Sequence, residues 1–333
     1  MKVNVVSEVA NFKTVWGGLY SAYINHVQLL QKLGVEVIIN TGTGKADITH
    51  IHSYGPYAFY KMLRAHKSVV SSHTLPDTLV GTFKGSRYWL PLAKLYLKAF
   101  YNSADLVLAL NPHSQNELRK LGVKTKMILL SNALNNDVFN IDSNLSKNGK
   151  KKLAIIDKTF VVLGVGHIIP RKGIVDFIKT AELLPEFTFV WIGGHVMGAL
   201  SAETDQMKHL LKNKPTNLIL IGGVSYNEMP EYYNAADVFL FPSHQDIAPM
   251  AVIEAASCGL PLVLRDLPEY EELFKKRYIS AKSPIDFAKA IKKLFNDKIF
   301  YEKSQRESRE LSVDFSSEII GKKLLAVYNN LLS

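Results

Sequence analysis

With 333 residues, 47% of them hydrophobic and 21% charged, the chain is too long for one ordinary core and too apolar for disorder; two domains of average size fit. Its single cysteine, Cys258, excludes an internal disulfide and points to a reducing compartment, and no run approaches the roughly 18 apolar residues of a membrane span. The net charge of +10 is uneven: residues 1–155 hold 19 Lys and Arg against 8 Asp and Glu, whereas residues 156–333 hold 21 against 22, so the first half has the one-sided field that suits a polyanionic surface.

Strand and helix patterns alternate along the chain. The apolar run at 3–6 is too short for a signal-peptide core and reads as a buried strand. A turn at Gly17-Gly18 leads into a helix over 19–33 that Gly34 stops. Strands follow at 35–39, 47–51 and 68–72, then a long helical stretch and a strand at 105–110. Asn111-Pro112 starts the next helix and Gly122 ends it. Residues 140–152, rich in Asn, Ser and Lys and containing Gly149, read as a linker or exposed loop. Alternation then restarts, with strands at 160–165, 187–192, 217–221 and 237–241, a helix after Gly173, and mainly helices after Pro284. Apolar runs of this length between amphipathic helices predict an α/β chain with parallel sheets covered on both faces. Two such units make two Rossmann-like domains facing each other across a cleft.

Three segments have chemistry in them. In Pro242-Ser243-His244-Gln245-Asp246-Ile247-Ala248-Pro249-Met250-Ala251-Val252-Ile253-Glu254-Ala255, two acids stand eight positions apart. Asp246 falls in a loop after a strand and Glu254 in the helix that begins near Pro249. Backbone N–H groups at that helix start can bind a diphosphate or a sugar hydroxyl, and a carboxylate behind them can grip ribose. On spacing alone, the pair could equally be a solvated loop acid and a helix-surface glutamate. In Gly164-Val165-Gly166-His167-Ile168-Ile169-Pro170-Arg171-Lys172-Gly173, two cations precede a helix, which makes either a diphosphate clamp or an exposed basic turn. His73, in Ser71-Ser72-His73-Thr74, ends a strand where a cleft would lie, although a lone histidine is more often structural. The turn Trp16-Gly17-Gly18-Leu19 would let amides approach a diphosphate. No Cys/His cluster with ligand spacing, no Asp-x-Asp triplet and no nucleic-acid motif is evident, so neither a metal nor nucleic acid is expected.

The acid–seven residues–acid segment and its continuation Ala255-Ala256-Ser257-Cys258-Gly259-Leu260-Pro261 resemble the signature of the retaining GT-B glycosyltransferases of family four. The first acid is an aspartate here, where that family usually has glutamate. The resemblance implies that Glu254 binds the ribose of the donor and that Asp246 with the 247–250 segment (Ile247, Ala248, Pro249, Met250) holds its sugar. It also implies that Lys172 belongs to a phosphate loop, in which His167 replaces the usual arginine and Arg171 supplies charge. His73 would contact the transferred sugar, Gly17 and Gly18 the diphosphate, and Val224 the base. His73, Asp246 and Lys172 are thereby the expected catalytic residues. The implied domains are 1–150 for the acceptor and membrane, 151–312 for the nucleotide-sugar, and a helix over 313–333 packing back on the first.

The stretch 75–104 includes Arg87-Tyr88-Trp89-Leu90-Pro91-Leu92-Ala93-Lys94-Leu95-Tyr96-Leu97-Lys98. As a helix it gathers Trp89, Leu92, Tyr96 and Ala99 on one face, with Tyr88, Leu95 and Phe100 alongside and Arg87, Lys94 and Lys98 on another side. Aromatics beside cations are the composition of a helix lying in a lipid interface, and equally of an ordinary helix with its aromatic face in the core and its lysines solvated; the positive balance of the first half favours the membrane. The stretch resembles bacterial synthases of diacylglycerol glycolipids. That resemblance implies transfer of a hexose, glucose or galactose, from UDP-hexose to monoglucosyl-diacylglycerol. The enzyme would need no cofactor and would sit peripherally on the cytoplasmic face of an anionic membrane. The alternatives are a family-four enzyme with a cell-wall or exopolysaccharide acceptor, and a non-catalytic nucleotide-binding protein.

Overall fold

The computed structural model describes residues 1–10, 17–41, 45–80, 82, 85–155, 159–195 and 205–333. Trp16 of the expected glycine turn lies outside them.

In chain order the first elements are β1 (Lys2–Val6), a short 3-10 turn, α1 (Gly18–Lys32), β2 (Glu36–Ile39), β3 (Ile48–Ile51), α2 (Pro56–Leu63) and β4 (Ser68–Ser71). Then come α3 (Pro76–Leu79), α4 (Ser86–Asn102), β5 (Leu106–Ala109), α5 (Pro112–Leu121), β6 (Met127–Leu129) and α6 (Ser143–Lys152). After these lie β7 (Val161–Val165), a 3-10 turn (Pro170–Lys172), α7 (Ile174–Leu183), β8 (Thr188–Ile192), α8 (Asp205–Lys212) and β9 (Leu218–Gly222). The chain continues with α9 (Met229–Ala235), β10 (Val238–Phe241), α10 (Met250–Ser257), β11 (Leu262–Arg265), α11 (Pro268–Phe274) and β12 (Ile279–Ala281). It ends with α12 (Pro284–Asn296), α13 (Lys298–Asp314) and α14 (Ser317–Leu332).

These elements form two compact units, each built on a six-stranded parallel sheet. Unit 1 takes Met1–Val80, Gly85–Asn135 and Asp314–Ser333, with strand order β2-β1-β3-β4-β5-β6. Unit 2 is built on Asn136–Val313, with order β12-β11-β10-β7-β8-β9. In such sheets the chain leaves β1 or β7 in one direction and later returns to the other side. The resulting switch points, β1/β3 and β7/β10, open a crevice at the strands' carboxyl ends where open α/β sheets bind ligands.

Unit 1 buries Val3, Val5, Leu30, Val69 and Leu108 against Ile320, Leu324 and Tyr328 of α14, so the last helix is part of this core. The core of unit 2 centres on Phe177, Phe189 and Trp191, whose rings meet edge to face. Gly164 lies in β7 beneath two of these rings. A Cβ there would stand 2.6 Å from Phe177 and 2.7 Å from Trp191.

The expected linker at 140–152 is instead helix α6, packed on α9. Asp142 caps it, accepting from the amides of Asn144 (2.7 Å) and Leu145 (3.3 Å). Gly149 faces α9 so closely that a Cβ would lie 2.0 Å from the Glu231 carbonyl oxygen. The Asn, Ser and Lys residues that suggested a loop are the polar face of a helix whose contact face is made by a glycine. The strands β6, β11 and β12, not anticipated, are short pieces of three or four residues at or near the sheet edges.

Candidate active site

In unit 2 the loops after β7 and β10 are tied together at the switch point. The His244 amide donates to the Arg171 carbonyl (2.8 Å), and Arg171 Nη1 donates to the Gln245 carbonyl (2.7 Å). Gly173, at φ 76, ends the 3-10 turn, and a Cβ there would meet the Pro242 carbonyl oxygen at 2.1 Å. The close approach and the left-handed backbone both require glycine. Within this frame Lys172 Nζ pairs with the Asp246 carboxylate. Both side chains are largely buried, and the ammonium lies 5.3 Å above the Phe241 ring.

Burial pushes the Lys172 ammonium below its ordinary 10.5, Asp246 opposes that shift and Arg171 adds to it. Such a cation is held by one partner in a poorly solvated place, so an incoming anion gains much by approaching it. Burial, reinforced by Lys172 and Arg171, brings His167 down to about 4. At neutral pH His167 is therefore uncharged, and the cationic side chains of this loop are Arg171 and Lys172.

The second acid sits differently. Glu254 is only 4% exposed on α10, and its Oε2 accepts from the Tyr233 hydroxyl of α9 at 2.7 Å. Burial, then Glu254, raises the Tyr233 phenol well above its ordinary value, so it remains a donor. Tyr233 was not singled out as a functional residue in the sequence, because only the packing of α9 on α10 brings it to Glu254. Ile247, Ala248, Pro249 and Met250 lead into α10 with their side chains buried, and Val224 is buried after β9. The Asp246 Oδ1 accepts from the Ile247 amide (3.1 Å).

In unit 1, Gly17 has φ 97 and ψ 157 at the start of α1, a conformation open to glycine. Among the described residues, no heavy atom lies within 4 Å of where a Cβ on Gly18 would stand. The expected glycine turn thus presents the amino end of a 15-residue helix without a capping side chain. His73 follows β4, half-buried, with Nε2 3.1 Å from His52 Nδ1.

Behind His73 lies a cluster that the sequence did not reveal. His26 of α1, His50 of β3 and His52 just after β3 place ring nitrogens within 4.8 Å of one another. The expectation of no Cys/His cluster thus meets a grouping of three histidines. Two of the rings are already engaged: the Tyr328 hydroxyl of α14 lies 2.5 Å from His50 Nδ1 and 3.2 Å from His26 Nε2, and Ser71 Oγ lies 2.8 Å from His50 Nε2. Burial drives all four imidazoles toward the neutral form, His26 to about 3 and His73 to about 4.

The expected interfacial helix is α4, but its faces divide otherwise than the spacing suggested. Tyr96 turns inward, its hydroxyl donating to the Tyr54 carbonyl (2.7 Å), and with Phe100 it packs on Phe59. Trp89 is half-buried. The outward apolar residues are Tyr88, Leu92 and Leu95, at 93%, 71% and 67% exposure, with Lys94 and Lys98 also exposed. The backbone of Arg87 is helical; its side chain lies outside the described residues. Among the described residues no helix is long and apolar enough to cross a membrane.

Comparison with known proteins decides what these loops belong to. Residues 8–138 match the family "Glycosyltransferase Family 4" and residues 146–311 match "Glycosyl transferases group 1". An alpha-galactosylglucosyldiacylglycerol synthase of Streptococcus pneumoniae is 30% identical, over 96% of this chain and 86% of its own. The chain belongs to glycosyltransferase family 4. This glycosyltransferase is also 27% identical to a processive diacylglycerol alpha-glucosyltransferase of Acholeplasma laidlawii, covering 95% of this chain and 94% of that one. Its fold is GT-B. A sucrose-phosphate synthase of Thermosynechococcus elongatus superposes with a TM-score of 0.81 over 99% of both chains at 16% identity. Anabaena HepE, solved with UDP-glucose, superposes at 0.77 over 99% of this chain and 100% of that one, also at 16%.

Proposed function

We propose that this glycosyltransferase moves a hexose from UDP-hexose to the sugar of a diacylglycerol glycolipid, with retention at the anomeric carbon. The observation on which the reading rests is the Lys172–Asp246 pair beside Arg171 at the β7/β10 switch point. When the donor arrives, Lys172 and Arg171 take the diphosphate, and Asp246 is released to accept hydrogen bonds from the sugar hydroxyls. As the glycosidic bond breaks, negative charge grows on the leaving diphosphate. Two fixed cations in a poorly solvated loop stabilise that charge more than they stabilise the ground state. Glu254, oriented by Tyr233, holds the ribose, and backbone groups near Val224 hold the base. The amides leading into α10 face the sugar. His73 contacts the transferred hexose, and Gly17 and Gly18 offer amides to the diphosphate.

The names of two relatives favour a lipid acceptor over a cell-wall glycan, and the outer face of α4 favours a peripheral site on the cytoplasmic membrane surface. Tyr88, Leu92 and Leu95 can enter the acyl boundary while Lys94 and Lys98 meet anionic headgroups. Unit 1 is basic as a whole, with 16 Lys and Arg against 8 Asp and Glu.

The test supplies UDP-glucose and UDP-galactose separately, with monoglucosyl-diacylglycerol in vesicles or with a soluble glucoside. A diglycosyl-diacylglycerol with an α linkage is expected, and Glu254→Ala and Lys172→Ala should each lower kcat/KM about a hundredfold or more. Transfer to the soluble glucoside alone, or wild-type turnover in both variants, would overturn the reading.

A further inference from the structure

Of the two ring nitrogens of His52, Nδ1 faces His73 Nε2 at 3.1 Å, and Nε2 is buried without a hydrogen-bond partner. The ring itself is 2% exposed and fixed from several sides. It stacks on His50 (centroids 4.6 Å, planes 24° apart), meets His26 at 4.6 Å and takes the edge of Tyr23 at 6.3 Å. It also lies near-parallel to His73, at 5.2 Å and 29°.

Hydrogen-bond accounting then fixes where the protons are. A neutral imidazole has one N–H and one bare nitrogen. A buried N–H left unmet is rarer in proteins than an unmet acceptor. The unpartnered Nε2 of His52 is therefore the bare nitrogen, and Nδ1 bears the hydrogen. That hydrogen can only be donated to His73 Nε2, so the proton of neutral His73 is on Nδ1.

We propose that His52 is a positioning residue for His73: by donating from Nδ1 it locks His73 in the Nδ1–H tautomer and presents that N–H as a fixed donor. The proposal rests on the reading of His73 as a contact of the transferred hexose, whose hydroxyl oxygens accept such a bond. His52 itself does not touch substrate. Its tight packing against His26 and His50 makes the tautomer a property of the resting protein, so the donor is aimed before the nucleotide-sugar arrives.

The experiment reads the tautomer directly. Protein labelled with ¹⁵N-histidine gives long-range proton–nitrogen correlations that separate Nδ1–H from Nε2–H rings, and a His73→Gln spectrum assigns the His73 signals. Wild type and His52→Asn, whose amide nitrogen can donate from nearly the same place, should show His73 as Nδ1–H. His52→Phe keeps the ring but removes the donor, and should show loss of that form. With UDP-hexose and glycolipid, His52→Phe should lower kcat about tenfold with a smaller change in donor KM, and His52→Asn should recover most of it. A wild-type His73 protonated on Nε2 overturns the proposal, and so does equal kcat in the Phe and Asn variants. Because the tautomer is read without substrate, a failure of the hexose-transfer reading leaves the spectroscopic result standing on its own.

Discussion

Glu254 and Asp246 are both acids of one signature, yet their surroundings give them different tasks. Asp246 is paired with the Lys172 ammonium, whereas Glu254 accepts a hydrogen bond from the buried Tyr233 hydroxyl. Removing that phenol should therefore act on binding. Tyr233→Phe is expected to raise the donor KM several-fold, with kcat changed less, because Glu254 loses the hydrogen bond that orients its Oε2. The ring remains to fill the space, so the melting temperature should move by only a few degrees. Steady-state kinetics at varied UDP-hexose would check this. A KM equal to wild type would show that the Tyr233 bond does not orient Glu254 for the donor. At this scale much of the unit 2 site was legible: Arg171, Lys172, Asp246 and Glu254 lie in two short segments with distinctive spacing. Tyr233 and the histidine cluster were not, since His26 and Tyr328 stand 302 positions apart and meet only when α14 docks.

Helices α4 and α6 show how far composition can mislead about an element. In α4 a count of aromatics and cations found the right helix but put Trp89 and Tyr96 together with Tyr88, Leu92 and Leu95, and left open whether that group meets lipid or core. The structure turns Tyr96 inward, where its hydroxyl finds a carbonyl, and leaves Tyr88, Leu92 and Leu95 outside. In α6 the polar residues hid a helix whose packing depends on Gly149, a residue normally read as a breaker. The revised α4 face changes the experiment. Replacing Leu92 and Leu95 together by Ser should weaken binding to vesicles containing anionic lipid at any salt concentration. Replacing Lys94 and Lys98 by Gln should weaken it chiefly at low salt. Co-sedimentation at two ionic strengths separates the two contributions. Undiminished binding by all four substitutions combined would remove α4 from the membrane contact. The strand and helix order was readable because buried parallel strands are short continuous apolar runs, and it failed where strands shrink to three or four residues near a sheet edge.

Across the whole molecule, acid sensitivity should be unequal. His26, His50, His52 and His73 share one interior region of unit 1, and burial holds each below its ordinary value of 6.5. Between the folded and unfolded values the unfolded chain binds more protons, so stability is complete above about pH 6.5 and falls as the pH drops toward 4 and below. A difference of one pH unit at one ring is worth about 1.4 kcal/mol, and four rings act on the same unit. Hydrogen exchange by mass spectrometry at pH 7 and pH 5, corrected for intrinsic rates, should show β3, β4 and α14 losing protection before β7, β8 and β10. Equal loss in the two sheets would mean that the four imidazoles take up protons as readily in the folded state as in the unfolded chain.

The placement of α14 in the core of unit 1 has a consequence for the order in which the chain is made. The sheet of unit 2 lies wholly within the consecutive segment Asn136–Val313, so it can close while synthesis is still under way. Unit 1 begins first but waits for Ile320, Leu324 and Tyr328, which follow its earlier segments by roughly 180 residues, on the order of 10–40 s at ordinary elongation rates. During that interval β1, β3 and β4 have their apolar and histidine-lined side uncovered on the ribosome. Unit 1 therefore completes its core only after the sheet of unit 2 has been made, and the nascent chain passes through a stage in which one closed sheet is tethered to an open one that chaperones can recognise.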